Sequence, residues 1–350
     1  MTSESLSIGG YARRVRLRGA AVIAAALLLV VLIVADLVTG PSGMSPEALN
    51  RALWAGPGGQ DRAAAAILWQ IRLPQTIMAV LVGASLGLSG LIMQTMLANP
   101  LASPFTLGFS AAAGFGAALS ILLGDLTPLP NWVETPIAAF AMTLFATGLL
   151  YLVARLKGAQ AEILVLAGIA VLFFFQALQS LVQFMASPEV LQQIVFWLFG
   201  SLLKASWTSV QVSGAILALC LPFVLRDAWN LTALRLGDGN AASLGLDVDA
   251  LRRRCFLLVA ALVAGAVSFT GTIGFVGLIA PHVARAAVGE DHRFALPVAA
   301  MTGALILVAA SVIGKLISPG AVIPVGIITA IAGIPMLMTV LFTLKPDGGR

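Results

Sequence analysis

Of the 350 residues, 59% are apolar and only 10% charged, with a mean hydropathy of +1.01, against roughly 45–50% and 25% in an ordinary soluble domain. A soluble fold is thereby excluded, and at roughly 20 residues per membrane-spanning helix the composition has room for about ten spans and no sizeable domain outside the bilayer. The net charge of +5 is explained first by the loop bias that orients a membrane chain, not by nucleic acid, and Cys220 and Cys255, each in or beside an apolar run, support neither a disulfide framework nor a thiolate metal site.

Arg13, Arg14, Arg16 and Arg18 precede an apolar run over 19–38 whose single charge is Asp36. The run exceeds the roughly 7–15 residues of a secretory h-region and no small-residue cleavage site follows, so a retained first span with a cytoplasmic N-terminal tail (1–18) is expected. After a polar loop over 40–66, further spans are expected near 67–96, 105–123, 133–154 and 162–186, then a short amphipathic helix over 188–199. The remaining spans fall near 207–225, 255–272, 275–288, 294–316 and 324–344. Ten spans return the C-terminal tail (345–350) to the cytoplasm. Of the 20 basic residues this layout puts fifteen inside and five, Arg51, Arg62, Arg72, Lys204 and Lys315, outside or at outer span ends, as the positive-inside rule requires.

Asp36, Glu134 and Glu162 fall close to span ends and the other acids in loops or tails. The expected midplane is therefore free of the carboxylates that ion-coupled transporters use. The Gly314-Lys315 pair lacks both the leading glycine and the trailing hydroxyl residue of a phosphate-binding loop, and H-E-x-x-H is absent, so neither ATP hydrolysis nor zinc proteolysis is expected of this chain alone. Ser110 and Ser268, beside glycines, read as close-packing positions in preference to intramembrane nucleophiles.

The segment 226–254 is the largest departure from apolar composition, with nine of the 35 charges. Asp238 is placed to N-cap a short helix ending at Gly245, and Asp247 to cap the next, which runs into Arg252–Arg254. Two capped helices outside the membrane make a docking surface; a solvated turn anchored by arginines is the alternative. Two further segments, 99–108 and 271–282, interrupt the apolar runs with glycine and proline. Interrupted backbone in both halves of a transporter points to a translocation path, because it survives only where protein or water covers it.

The ordered set Trp69-Gln70-Ile71-Arg72-Leu73-Pro74, Gly83-Ala84, Ser89-Gly90, N-P-L-A-x-P-x-x-L-G at 99–108, Gly237-Asp238 with Leu244-Gly245-Leu246, I-G-F-V-G-L-x-x-P-H-x-x-R at 273–285, Asp291-His292-Arg293 and Pro324-Val325-Gly326 resembles the FecCD family of ABC-importer permeases, which includes ferric-siderophore, haem and cobalamin importers. The resemblance covers about residues 17–344. It implies an all-α polytopic fold of the type II importer kind, with one transmembrane domain over 19–344 containing the coupling loop 226–254. It also implies a second permease subunit, two cytoplasmic ATPase subunits that carry ATP and magnesium, an external substrate-binding protein and a place in a bacterial cytoplasmic membrane. No cofactor on this chain is implied.

By the same resemblance, Asp238, Ala241, Leu244 and Gly245 lie in the coupling helices seated in the ATPase, and Arg72 and Lys315 meet carboxylates of the binding protein. The family's second arginine in R-L-P-R is Gln75 here, a loss for which Arg51 or Arg62 compensates. Asn99, Leu101, Gln160 and Ala161 correspond to the inner gate. Ser311 and Val322 stand where relatives carry acids, and His282, in the P-H-x-x-R block, is expected to be structural and not a haem ligand. Trp54, Trp132, Trp197 and Trp207 are expected to mark the outer interface.

Overall fold

The computed structural model describes residues 8–124, 130–317 and 322–343; the expected C-terminal tail and the first seven residues of the expected N-terminal tail lie outside them. Among the described residues there is no strand. The chain opens with α1 (Ile8–Val38), and the expected polar loop carries helix α2 (Pro46–Ala55) and a helical turn α3 (Arg62–Ala66). Both helices are capped as their sequences dictate. Ser45 Oγ accepts the amide of Ala48 ahead of Pro46, and Asp61 Oδ1 accepts that of Ala64, filling orphan first-turn donors.

Through a π-helical turn at Ile67–Arg72, α3 continues into α4 (Leu73–Met96). Then follow α5 (Phe109–Leu123), α6 (Asn131–Lys157), α7 (Ala161–Met185), the short α8 (Pro188–Leu198) and α9 (Trp207–Arg226). The 226–254 segment holds α10 (Ala228–Leu234) and α11 (Asp238–Ser243), and α12 (Val248–Thr270), α13 (Val276–Val288), α14 (His292–Ile317) and α15 (Val325–Thr343) complete the order. Among the described residues, seven helices are long and apolar enough to cross a membrane, and three shorter apolar ones are α5, α13 and α15. Together they occupy the ten positions expected for spans.

α4 is the centre of the bundle, wrapped by α14, α13, α12 and α9. The reason is its glycines: a Cβ on Gly83 would meet the Gly303 carbonyl, one on Gly87 that of Ala299, and one on Gly90 that of Gly277. Small residues let helix backbones touch, and in lipid such close packing replaces the hydrophobic drive available in water. Side chains of Met78, Val82, Leu307 and Val308 fill the space at one level, and Leu91, Ile92, Phe109 and Val259 at another. By contrast α1, α7 and α9 expose Leu27, Val31, Phe173, Phe184 and Leu219, an apolar belt suited to lipid.

Two ion pairs fix the relative direction of α1 and α14. Arg18 lies 3.5 Å from Asp291 at one end, and Lys315 Nζ lies 2.8 Å from Asp36 Oδ1 at the other. The two helices therefore run parallel, as the first and ninth of ten alternating spans must. Asp36 is two residues from the end of α1, and Glu134 and Glu162 lie in the first turns of α6 and α7, in accord with carboxylates at span ends.

Candidate functional site

The two interrupted segments come together. A cavity of about 330 Å³ is lined by Leu101, Ser103, Phe105 and Thr106 from the first, Gly274, Phe275 and Leu278 from the second, and Leu337 of α15. Its walls are largely apolar side chains. The first segment is a self-bonded turn: Asn99 Oδ1 accepts the Leu101 amide, and the Ser103 amide donates to Thr106 Oγ1 while that hydroxyl donates to the Ser103 carbonyl. A non-glycine residue sits in the left-handed region immediately before the first segment, Ala98 at φ +46°, and another within the second, Phe275 at φ +66°, a conformation that persists only where surroundings impose it. The Phe275 ring lies against Gly333, so α15 closes on it with no room for a side chain.

At the end bearing 226–254, α10 and α11 lie outside the long helices. The cap expected of Asp238 is not made: Gly237 is the N-cap, and Asp238 instead takes Nη1 and Nη2 of Arg252 at 2.8 and 2.9 Å. A buried guanidinium, 3% exposed, has more to gain from a bidentate carboxylate than an exposed helix end does. Asp247 does cap, accepting from Ala250 N at 2.8 Å, but the helix it starts is α12 itself and not a second short one. Replacing Asp247 with Ala is expected to cost about 1 kcal/mol, measurable as a lowered unfolding midpoint in detergent.

Gly245 ends α11 at φ +85° with open space around it, and Leu244 is exposed. Ala241 is fully buried against the chain's own core, which corrects its expected place on a docking surface: it seats α11 on the bundle. Trp229 and Leu236, both exposed, join Leu244 as apolar groups on this end; nothing in the local sequence pattern singled them out. Arg293 stacks over the Trp229 ring at 4.2 Å and donates to Asp291, and those donated bonds hold the Asp291 carboxyl below the ordinary carboxylate range against the opposing effect of burial.

The expected gate residues lie on two turns beside Arg252. Asn99 and Leu101 follow α4, whose Met96 carbonyl accepts Arg252 Nε at 2.8 Å. Gln160 and Ala161 begin α7, and their neighbours Ala159 and Leu164 line a small gap together with Arg252. Among the described residues no hydrogen bond joins the two turns.

At the opposite end, Arg72 and Lys315 do not stand as free charges. Arg72 is 3% and Lys315 7% exposed. Arg72 donates to the Leu37 and Val38 carbonyls and to Ser42 Oγ, while Lys315 is held by the carboxylate and carbonyl of Asp36, which also takes the Thr76 hydroxyl. The physical reason is Asp36: a carboxylate buried completely draws the cations inward to offset its desolvation. Arg51 and Arg62 are exposed, and Arg51 lines a groove of about 530 Å³ between α2 and α3 with Gln60 and Asp61.

Of the other residues singled out in the sequence, Ser268 returns its hydroxyl to the Ala264 carbonyl and both cysteines are buried and unlinked. His282 Nδ1 lies 2.8 Å from the Leu278 carbonyl one turn back, a structural contact. Trp54 and Trp132 are strongly exposed, and Trp207 Nε1 donates to the Trp69 carbonyl.

Comparison with known proteins agrees with this architecture. Residues 28–343 match the model of the FecCD transport family. The chain is 35% identical to the Fe(3+)-citrate import system permease YfmE of Bacillus subtilis, over 92% of this chain and 94% of that one. It is also 35% identical to the hemin transport system permease HmuU of Yersinia pestis, over 89% and 92%. A solved structure described as an inward-facing metal-chelate type ABC transporter superposes with a TM-score of 0.82 at 30% identity, covering 92% of this chain and 99% of the other. With ten apolar helices among the described residues, a glycine-lined α4 at their centre, paired interrupted segments and a polar helical excursion at one end, this chain belongs to the FecCD transport family of ABC-transporter permeases.

Proposed function

We propose that this chain is the translocation subunit of an ATP-driven importer, passing a ferric siderophore from an external binding protein to the cytoplasm. The observation that carries the reading is the pairing of an apolar cavity between two strained, interrupted segments with a polar helical segment bonded directly to the helix that leads into it. Cargo passes where backbone is irregular, and force enters at the 226–254 end through Leu244, Leu236 and Trp229, whose exposed apolar surface suits a partner. That partner is a pair of cytoplasmic ATPase subunits carrying ATP and magnesium, beside a second permease subunit. Both termini lie in the cytoplasm of a bacterial cell.

The ferric-chelate cargo is supported by similarity to an Fe(3+)-citrate permease and to a metal-chelate type transporter. Similarity to a hemin permease and to a cobalamin import permease makes haem or cobalamin the second reading. Purified transporter in proteoliposomes, supplied with its binding protein and offered a radiolabelled ferric hydroxamate, ferric citrate, haem or cobalamin, separates them. Saturable uptake of a ferric chelate and not of haem or cobalamin is expected, and the reverse pattern would transfer the assignment.

For docking of the binding protein, exposed Arg51 and Arg62 are proposed to supply the rim charge that buried Arg72 and Lys315 do not. Rim charges act mainly on encounter rate. Arg51→Glu with Arg62→Glu is therefore expected to slow association of the binding protein and to flatten its salt dependence, read by surface plasmon resonance on the reconstituted transporter.

A further inference from the structure

Three consecutive residues at the end of α4 are each tied to a different residue of the segment that holds α10 and α11. Gln94 Oε1 accepts Arg285 Nη2 at 2.6 Å; Arg285 reaches Glu290 at 3.9 Å, and Glu290 accepts Arg235 Nη2 at 2.8 Å, at the end of α10. Thr95 Oγ1 lies 2.8 Å from His292 Nε2, whose Nδ1 lies 3.3 Å from Thr232 Oγ1 in α10. The Met96 carbonyl accepts Arg252 Nε at 2.8 Å, and the same guanidinium is bidentate to Asp238, the first residue of α11. Side chains of successive helical residues point about 100° apart, so Gln94 and Thr95 are held from different sides, while Met96 is held through the backbone carbonyl at the helix end. Their inner ends are shielded from water, Gln94 at 1%, Thr95 3%, His292 0% and Arg252 3% exposed, while Arg235, Glu290 and Asp238 at their outer ends face the surface.

Beyond the gripped turn the chain changes character at once. Leu97 ends the helix, Ala98 sits in the left-handed region at φ +46°, and the Asn99–Leu101 turn leads Leu101 to the cavity wall. A rigidly held helix end followed by a strained non-glycine hinge is a two-part lever, and strain of this kind gathers at switching segments.

We infer that the Gln94–Met96 turn is the receiver through which displacement of the 227–245 segment reaches the Asn99–Leu101 turn, with Arg252, His292 and Arg285 as its positioning residues. The inference rests on the importer reading above. A contiguous bonded network is the physical route for such coupling, and coupling measurements are what establish it.

The test uses the transporter assembled with its own ATPase subunits in proteoliposomes, carrying a bimane on Leu101→Cys, the native cysteines being buried. The readout is the fluorescence change between the nucleotide-free and the vanadate-trapped state. In the labelled parent a change is expected. In Arg252→Lys, whose single nitrogen cannot serve Asp238 twice and Met96 as well, and in Thr95→Val, which removes the His292 tie together with the hydroxyl's bond to the Leu91 carbonyl one turn back in α4, the change is expected to fall about 2- to 30-fold, while the ATPase still co-purifies and hydrolyses ATP.

The exchange Asp238→Arg with Arg252→Asp restores the ion pair but not the bond to Met96. It is expected to assemble and still fail to move the label. Parent-like responses in Arg252→Lys and Thr95→Val, or recovery in the exchanged pair, would overturn the relay while leaving the importer reading intact. A labelled parent that neither retains an ATPase nor responds to nucleotide would overturn both.

Discussion

Replacing Lys315 with Met is expected to lower the unfolding free energy by about 3–5 kcal/mol, the cost of breaking a buried ion pair from one side. Asp36 has no exposed surface, and its partners are Lys315 Nζ at 2.8 Å, the Thr76 hydroxyl and, through the neighbouring Leu37 and Val38 carbonyls, the Arg72 guanidinium. Removing the ammonium leaves a carboxylate in a site that water does not reach. The double variant Asp36→Asn, Lys315→Met removes both charges and is expected to recover most of the loss, since a buried pair replaced by neutral groups is often close to energetically silent. Denaturant or thermal unfolding in one detergent checks both. A single variant within about 0.5 kcal/mol of the parent, as surface substitutions are, would mean that the pair is hydrated and holds α1 only weakly.

Gly90→Val is expected to be more disruptive still, to the point of failed accumulation in the membrane. Its Cβ would fall on the Gly277 carbonyl, a backbone atom at the start of α13 that cannot rotate away. Overpacking of a close-packed interior commonly costs about 1–3 kcal/mol per site, and here two γ-methyl groups follow the Cβ into the same contact. The control is Gly148→Ala on α6, where a Cβ meets nothing; its expression and unfolding midpoint are expected to match the parent. Equal behaviour of the two variants would contradict the backbone contact between α4 and α13.

The contrast between these sites shows which features the sequence carries openly. The ten apolar segments, the helix over 188–199 and the stop at Gly245 were legible because hydropathy, amphipathic spacing and a glycine at the αL position are local properties. So was the importance of Gly83, Gly90, Asn99 and Gly274, though only as a family pattern; the structure supplies the cause, backbone contact in the first two and the cavity wall in the last. What stayed hidden is pairing across long sequence distance. Asp238 lies 14 residues from Arg252, but Lys315 lies 279 from Asp36 and Arg285 191 from Gln94, and no local rule brings such partners together. Arg72 and Lys315 consequently read as exposed rim charges, Asp238 as a cap and Ala241 as a contact residue, while tertiary partners decided each of them otherwise. The helices α2 and α3 were missed in the polar loop because glycine and proline masked two capped starts, at Ser45 and Asp61.

In the importer function proposed above, energy enters this chain from an ATPase seated on the 226–254 end and not from an ion gradient across it. Uptake of a radiolabelled ferric chelate into proteoliposomes is the most direct measurement, made once with the ATPase-containing complex and internal ATP, and once with this chain alone under a proton or sodium gradient. Accumulation is expected in the first case, abolished by Asp238→Arg, and none above the protein-free level in the second. Gradient-driven accumulation by this chain alone would contradict it.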